Sequence, residues 1–199
     1  MLNFYDNQPV YLGSASPRRK ELFAYLFQKF QILSSEDELL RIQGVGSEFA
    51  LENALYKSLS ILKSNQLESG FLFCFDTVVA LNDRLLGKFE NRDEAFEVLK
   101  LLSGQSHQVH TGVSLVSVDG KHLLQKVYST EVEFFDLPPK LIDCWLDKDK
   151  FQDKAGAYAI QDLSFCFIRK IEGCYYNVMG LPAPGLLHDL LSLGICRFL

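Results

Sequence analysis

Apolar residues along this chain alternate between two rhythms, and the alternation sets the expected order of elements. PVYLG (9–13) is a short, nearly unbroken apolar run, the pattern of a buried strand. A helix is expected from Pro17: Ser16 is a good N-cap, proline suits the first helical position, and Leu22, Phe23, Tyr25, Leu26 and Phe27 carry an apolar helical stripe onward. FQILS (30–34) predicts a second strand, followed by an acidic, glycine-containing loop over 35–46. Ser47 can cap a helix over 48–64, whose apolar positions are Phe49, Leu51, Ala54, Leu55, Leu59 and Leu62.

FLFCFDTVVAL (71–81) is a continuous strand-forming run with one carboxylate inside it. Asn91, with Glu94 three residues later, has the form of a capping box and opens a helix that ends near Leu102-Ser103-Gly104. Two long strand-like runs, 107–118 and 121–135, meet at Asp119-Gly120, a strong hairpin signal. Pro138 and Pro139 open a short helix through about Asp147. A loop then leads into KAGAYAIQ (154–161), an apolar strand over 163–171 and a closing helix near 184–193. Strands alternate with helices in the first half and form a hairpin in the second. The fold class is therefore α/β, a mixed sheet flanked by helices with an antiparallel portion.

Composition narrows the class. The 199 residues suit one large domain or two small lobes, and a 48% hydrophobic fraction with 16 phenylalanines excludes a largely disordered chain. A net charge of −5 gives no general attraction to nucleic acid or to an anionic membrane, so any anion site must be local. No stretch reaches the roughly 18 apolar residues of a membrane span, and the first residues lack a signal-peptide core. Five cysteines (Cys74, Cys144, Cys166, Cys174, Cys196) are odd in number, never approach C-x-x-C spacing and mostly sit among apolar neighbours. A cytoplasmic protein without a disulfide framework or cysteine zinc site is expected.

Charge placement then points to chemistry. Arg18, Arg19 and Lys20 fall in the first turn of a helix, beside free N–H groups and the positive end of the dipole, where exposed cations cost roughly 0.3–1 kcal/mol each. Either the cost is tolerated or the site expects a multiply charged anion, held by helix N–H groups and the guanidinium fork. Asp76, between Phe75 and Thr77 in an apolar run, is expensive to ionise without a cation, a metal or several hydrogen bonds, and marks a functional carboxylate. Lys57 lies four residues after Asn53 on its helix; a solvated face is the common fate of such a lysine. Lys88 follows Gly87 in a turn suited to close approach by phosphate, although no Walker A sequence is present. His107 and His110, three apart on a strand, face opposite sides and fit hydrogen-bonding roles better than a shared metal.

Taken in order, the motifs resemble the Maf family, the septum-formation-inhibitor group of nucleoside triphosphate pyrophosphatases. The carriers are SASPRRKEL (14–22), FDTVV (75–79), LLGK (85–88), LSGQSHQVHTGVSL (102–115), STEVEF (129–134), DKAGAYAIQ (153–161) and IEGCYYNVMGLP (171–182). The resemblance runs from Tyr11 to about Leu187. It implies an elongated mixed sheet of the Maf/ITPase-like kind, in a single domain over 1–199 with two lobes around a central cleft. It also implies hydrolysis of a nucleoside triphosphate between the α and β phosphates with a divalent metal, Mg²⁺ or Mn²⁺.

On this resemblance Asp76 is the catalytic aspartate, as base or metal ligand, with Lys57 and Lys88 beside it. Ser14 and Arg18 contact substrate, and Arg19 assists or raises the local potential. Asp37 or Glu38 supplies a further metal-binding carboxylate. Arg18, Thr77 and Gln161 match the branch that prefers dTTP and UTP. Thr77 poses a geometric problem: adjacent strand residues point to opposite faces, so Asp76 and Thr77 share a ligand only through a bulge or a backbone contact. Gly13, Ser58, Phe89 and Asp162 depart from the usual pattern, and Asp162 is a neighbour able to fix the Gln161 amide. The resemblance further implies a nucleotide substrate, no nucleic-acid or membrane partner, a homodimer and a link to division arrest; the rival reading is a non-catalytic nucleotide sensor.

Overall fold

The computed structural model describes residues 2–4, 7–34, 46–82, 84–148 and 151–198. Its strands are β1 (Leu2–Phe4), β2 (Val10–Gly13), β3 (Gln31–Ile32), β4 (Phe71–Leu81), β5 (Arg84–Leu86), β6 (Ser106–Ser117), β7 (His122–Phe134), β8 (Ile168–Glu172) and β9 (Cys196–Phe198). Its helices are α1 (Pro17–Leu26), α2 (Gly46–Ser64), α3 (Arg92–Leu102), α4 (Pro139–Leu146), α5 (Tyr175–Val178) and α6 (Ala183–Ser192).

One mixed sheet has the order β3-β2-β4-β6-β7-β8, with β5 on β4. β2 is parallel to β3 and β4, whereas β4, β6, β7 and β8 pair antiparallel, as the βα first half and hairpin second half require. β1 and β9 pair separately, joining the two ends of the described chain. The α/β class with a mixed, helix-flanked sheet is as expected.

Strand alternation sorts β4 onto two faces. Leu72 and Cys74 join Tyr11, Ile61 and Val116 in a small core under α2. On the opposite face Phe73 and Phe75 enter a core with α1 and α6 (Leu22, Phe23, Leu186, Leu190), while Val79 and Leu81 enter another with α3 and α4 (Leu99, Trp145). Thr77 lies between these two large cores. β6 repeats the pattern with Val113 and Leu115 on one side, Val109 on the other and Thr111 between. Two stacks of apolar side chains are thus strung on the same strands, with a pair of threonines at the division.

Several expectations are corrected. The run at 163–171 is a 3₁₀ turn over Leu163–Phe167 followed by β8, because Asp162 caps the turn through the Leu163 N–H at 2.9 Å. α2 buries Ala50, Asn53, Ala54, Lys57, Ser58 and Ile61 and leaves Leu59 exposed, so its inward face is the small and polar one. Gly112 is the reason: a Cβ there would lie 2.1 Å from the Ala50 carbonyl oxygen, so α2 rests directly on the β6 backbone. Large leucines do not fit at that distance. Only Cys74 and Cys196 are buried; Cys144 is exposed and the other two are half-buried. Among the described residues no helix is long and apolar enough to cross a membrane.

Candidate active site

The cleft forms where β4 lacks a neighbour. β2 pairs with β4 only as far as Gly13–Cys74, and β5 begins pairing at Val79. Between those points the strand has β6 on one side and no strand on the other. Asp76 and Thr77 project from opposite faces next to this open edge, and both line a cavity of about 350 Å³. The pairing with β6 is regular there, Asp76 opposite Gly112 and Thr77 opposite Thr111. Neither a bulge nor a backbone contact is needed; the cleft reaches both faces around the edge.

The chain leaves β2 at Gly13 and enters α1 through the Ser14–Ser16 turn. A side chain at 13 would meet Cys74 Sγ at 2.3 Å and Ile61 Cδ1 at 2.9 Å, which explains the glycine where alanine is usual. Cys74 is fully buried, and burial pushes its thiol up to about 11, against the Ser58 hydrogen bond and the Lys57 and Arg19 charges. It is a filler, not a nucleophile. Ser58, another departure, joins Ser114 at 2.8 Å behind it. Ser16 caps α1 by accepting from the Arg19 N–H, so the helix N-terminus with Arg18 opens onto the cleft.

Lys57 is not solvated. It is buried, and its Nζ donates to Asp76 Oδ1 at 2.7 Å. Each of the two side chains is 11% exposed, so the carboxylate that looked costly in the sequence has its cation. No other hydrogen bond to the Asp76 carboxylate exists among the described residues, which leaves Oδ2 available to the cleft.

Arg19 acts as a brace. Its Nε donates to the Gly180 carbonyl at 2.8 Å, Nη1 to Ser14 Oγ at 3.3 Å and Nη2 to Thr77 Oγ1 at 3.0 Å. Thr77 in turn meets Thr111 Oγ1 at 2.9 Å, and Thr111 donates to the Asn177 carbonyl at 3.2 Å. The network ties α1, β4, β6 and the α5 turn together.

The far wall is the segment 151–161. It is held from four sides: Trp145 Nε1 donates to the Ala157 carbonyl at 2.7 Å, Ser164 Oγ to the Ala159 carbonyl at 2.6 Å, the Gly156 N–H to the Gly87 carbonyl at 3.1 Å, and His107 meets Tyr158 Oη at 2.9 Å. The Gly87 contact brings the Lys88 turn to this wall. Burial lowers the His107 pKa to about 4, so the ring is neutral at pH 7 and serves the wall. His110 contacts Ser129 Oγ instead, from the opposite face. Gln161 and Lys88, both exposed, line the cleft with Ser14, Arg18, Arg19, Lys57, Asp76 and Thr77.

The structure therefore brings eight of the ten site residues together; Asp37 and Glu38 lie outside the described residues. Sequence reasoning missed Asp153, Lys154, Tyr158 and Gly180, which also line the cavity. An Asp-Lys pair ahead of a glycine was the available signal for the first two. Five cationic side chains face two carboxylates in a protein of net charge −5. Such a cleft, with a helix N-terminus at its mouth, defines a protein that takes a polyanion.

The chain belongs to the Maf family: the family profile described as Maf-like protein matches residues 9–193. Among curated relatives, a dTTP/UTP pyrophosphatase of Carboxydothermus hydrogenoformans is 37% identical over 187 residues, covering 93% of this chain and 98% of that protein. Another so named from Fusobacterium nucleatum is 38% identical over 183 residues, 92% and 94% of the two chains. One from Bacillus cereus is 37% identical over 188 residues, 94% and 96%. A solved structure, a nucleoside-triphosphatase / dITP/XTP pyrophosphatase of Mycobacterium abscessus, aligns with a TM-score of 0.45 and 15% identity over 65% of this chain and 76% of that one.

Proposed function

We propose that the protein is a nucleoside triphosphate pyrophosphatase that cleaves the α–β phosphate bond of dTTP and UTP. The observation that carries this reading is the convergence of the α1 N-terminus, Ser14, Arg18, Lys57 and Lys88 around Asp76 in one cleft. Its relatives named dTTP/UTP pyrophosphatase support the same reading over nearly the full chain.

In this mechanism Asp76, steadied by Lys57 through one oxygen, uses the other to orient and deprotonate the attacking water. Oxygen bonds to the α-phosphorus, the bond from that phosphorus to the bridging oxygen breaks, and nucleoside monophosphate and pyrophosphate leave. Charge grows on the non-bridging oxygens and on the leaving group, so positioned cations do most of the work. Arg18, Lys57 and Lys88 supply them. Ser14 and the first-turn N–H groups cradle the phosphates, and Gln161 matches the O4 and N3–H edge of uracil or thymine with its acceptor and donors.

The residues present fit a divalent metal of the Mg²⁺ or Mn²⁺ kind. Among the described residues no group of three or more His, Cys, Asp or Glu gathers. In the alternative role, with its free oxygen on the cation instead of on the water, the single carboxylate of Asp76 suits a hard cation held mainly by phosphate oxygens and water. Asp37 or Glu38, one of the two, completes the proposed ligand set. When bound, the metal neutralises phosphate charge. The two lobes of this reading are the two large cores flanking the cleft, and a homodimer belongs to the same reading, tested by light scattering.

A panel of UTP, dTTP, CTP, ATP and GTP, assayed for pyrophosphate release with Mg²⁺ or Mn²⁺, tests the proposal. UTP and dTTP should be cleaved well above the others. Release from none would overturn the activity; equal rates would overturn only the base preference.

A further inference from the structure

Lys154 is unusual for a lysine beside an open cleft. Its side chain is only 11% exposed, yet it lines the cavity, and its Nζ lies 2.6 Å from Asp153 Oδ1. Asp153 is 70% exposed, and its other oxygen lies 3.9 Å from Arg18 Nη2. One carboxylate thus faces a cation from each wall of the cleft: Arg18 on the first turn of α1, and Lys154 on the 151–161 segment. The two cations are set differently. Lys154 belongs to a backbone turn closed by its own N–H to Phe151 at 3.1 Å and by Ala157 N–H to its carbonyl at 3.1 Å. Two residues on, Gly156 is tied to Gly87, the neighbour of Lys88. Lys154 and Lys88 are therefore anchored to each other through the backbone at one end of the cavity.

Resting on the pyrophosphatase reading, we propose that Lys154 is a further phosphate-binding residue of the site, and that Asp153 stands in for the substrate's anion in the ligand-free protein. A carboxylate offers two oxygens to two cations, the same acceptor pattern that a phosphate group offers. Its hold is weak, because an ion pair with one partner this exposed is worth about 0–1 kcal/mol. A triphosphate, with several charges, displaces it; Asp153 swings into solvent, and Arg18 and Lys154 close on phosphate oxygens instead. Without Asp153, two cations from opposite walls would face each other across an empty cleft.

The test uses inorganic tripolyphosphate as the probe, which carries the phosphate chemistry without a base. Its binding is measured by calorimetry on the full-length protein, beside UTP hydrolysis, for wild type, Lys154→Gln, Lys154→Arg and Asp153→Asn. Lys154→Gln should weaken tripolyphosphate about 10-fold and raise KM for UTP in proportion, with arginine recovering most of the loss. Asp153→Asn should tighten tripolyphosphate about threefold by removing the competing anion, and the gain should shrink in the Lys154→Gln background. A role confined to holding the loop would lower the melting temperature of Lys154→Gln without a matching change in Asp153→Asn.

If wild type cleaves UTP while Lys154→Gln binds tripolyphosphate normally, the assignment of Lys154 falls and the activity stands. Weaker binding in Asp153→Asn would overturn the stand-in role. If wild type cleaves no triphosphate but binds tripolyphosphate through Lys154, the anion site stands and the activity falls. Absence of both would overturn both.

Discussion

Replacing Lys57 with methionine separates what the buried ion pair does for the fold from what it does for turnover. The aliphatic stem is kept and the ammonium is lost, leaving the Asp76 carboxylate 11% exposed without its partner at 2.7 Å. At that distance the gross attraction is about 6 kcal/mol at an effective dielectric of about 20. Desolvation of both groups cancels much of it, yet breaking such a pair on one side costs about 3–5 kcal/mol because a charge is stranded. Asp76 lines the open cleft, so the low end, about 3 kcal/mol, is expected for Lys57→Met. For a protein of this size that is a drop of roughly 6–12 °C in melting temperature. The double variant Lys57→Met/Asp76→Asn strands no charge and should recover about 2 kcal/mol, while neither variant cleaves UTP. Urea unfolding followed by Trp145, which is fully buried, reads both. Equal midpoints and slopes for the single and double variants would refute the stranded-charge account.

Three further outcomes follow from the geometry. Asp76→Asn should keep native circular dichroism and lose about 10²–10⁴-fold in kcat for UTP; a folded variant with near-normal rates removes Asp76 from the chemistry. Gly112→Ala forces a methyl to within 2.1 Å of the Ala50 carbonyl oxygen, so a loss at or above the usual 1–3 kcal/mol of overpacking is expected in urea unfolding, with kcat falling because α2 carries Lys57. His107 is held near pKa 4 against 6.5 unfolded, so its contribution is complete above pH 6.5 and is lost as pH falls toward 4, by roughly 3 kcal/mol. His107→Gln should therefore flatten the acid side of the stability profile, read as melting temperature between pH 7 and 4.

What the sequence disclosed depended on how local the signal was. The β4 run, the capped starts of α1 and α3 and the Asp119-Gly120 hairpin were legible because their signals lie within a few residues. Asp76 was legible as a charge where burial was expected. The inward face of α2 was not, because it is decided by a glycine 62 positions from Ala50 on β6 rather than by the helix's own apolar stripe. The 163–167 turn misled because Leu163, Phe165 and Phe167 alternate like a strand, while Asp162 and Ser164 bend the backbone through hydrogen bonds. β1 and β9 pair across nearly the whole chain from three-residue runs that carry no periodicity. The helix pattern around Lys57 suits a solvated face, and only the family resemblance sets it beside Asp76; the contact, at a separation of 19, is invisible to either segment alone.

The Thr77–Thr111 division has a mechanical consequence. β4 and β6 pass through it in unbroken register, so the floor beneath the cleft is a continuous hydrogen-bonded ladder and not a hinge. Rigid-body closure of one half on the other would have to shear or twist that ladder, whereas hinged proteins swing on a few residues free of sheet pairing. The width of the cleft is thus set by strand geometry and by the pinned 151–161 wall, and adjustment to a ligand falls to the rim side chains of Arg18, Lys88 and Asp153. This is a rigid gauge with movable fingers.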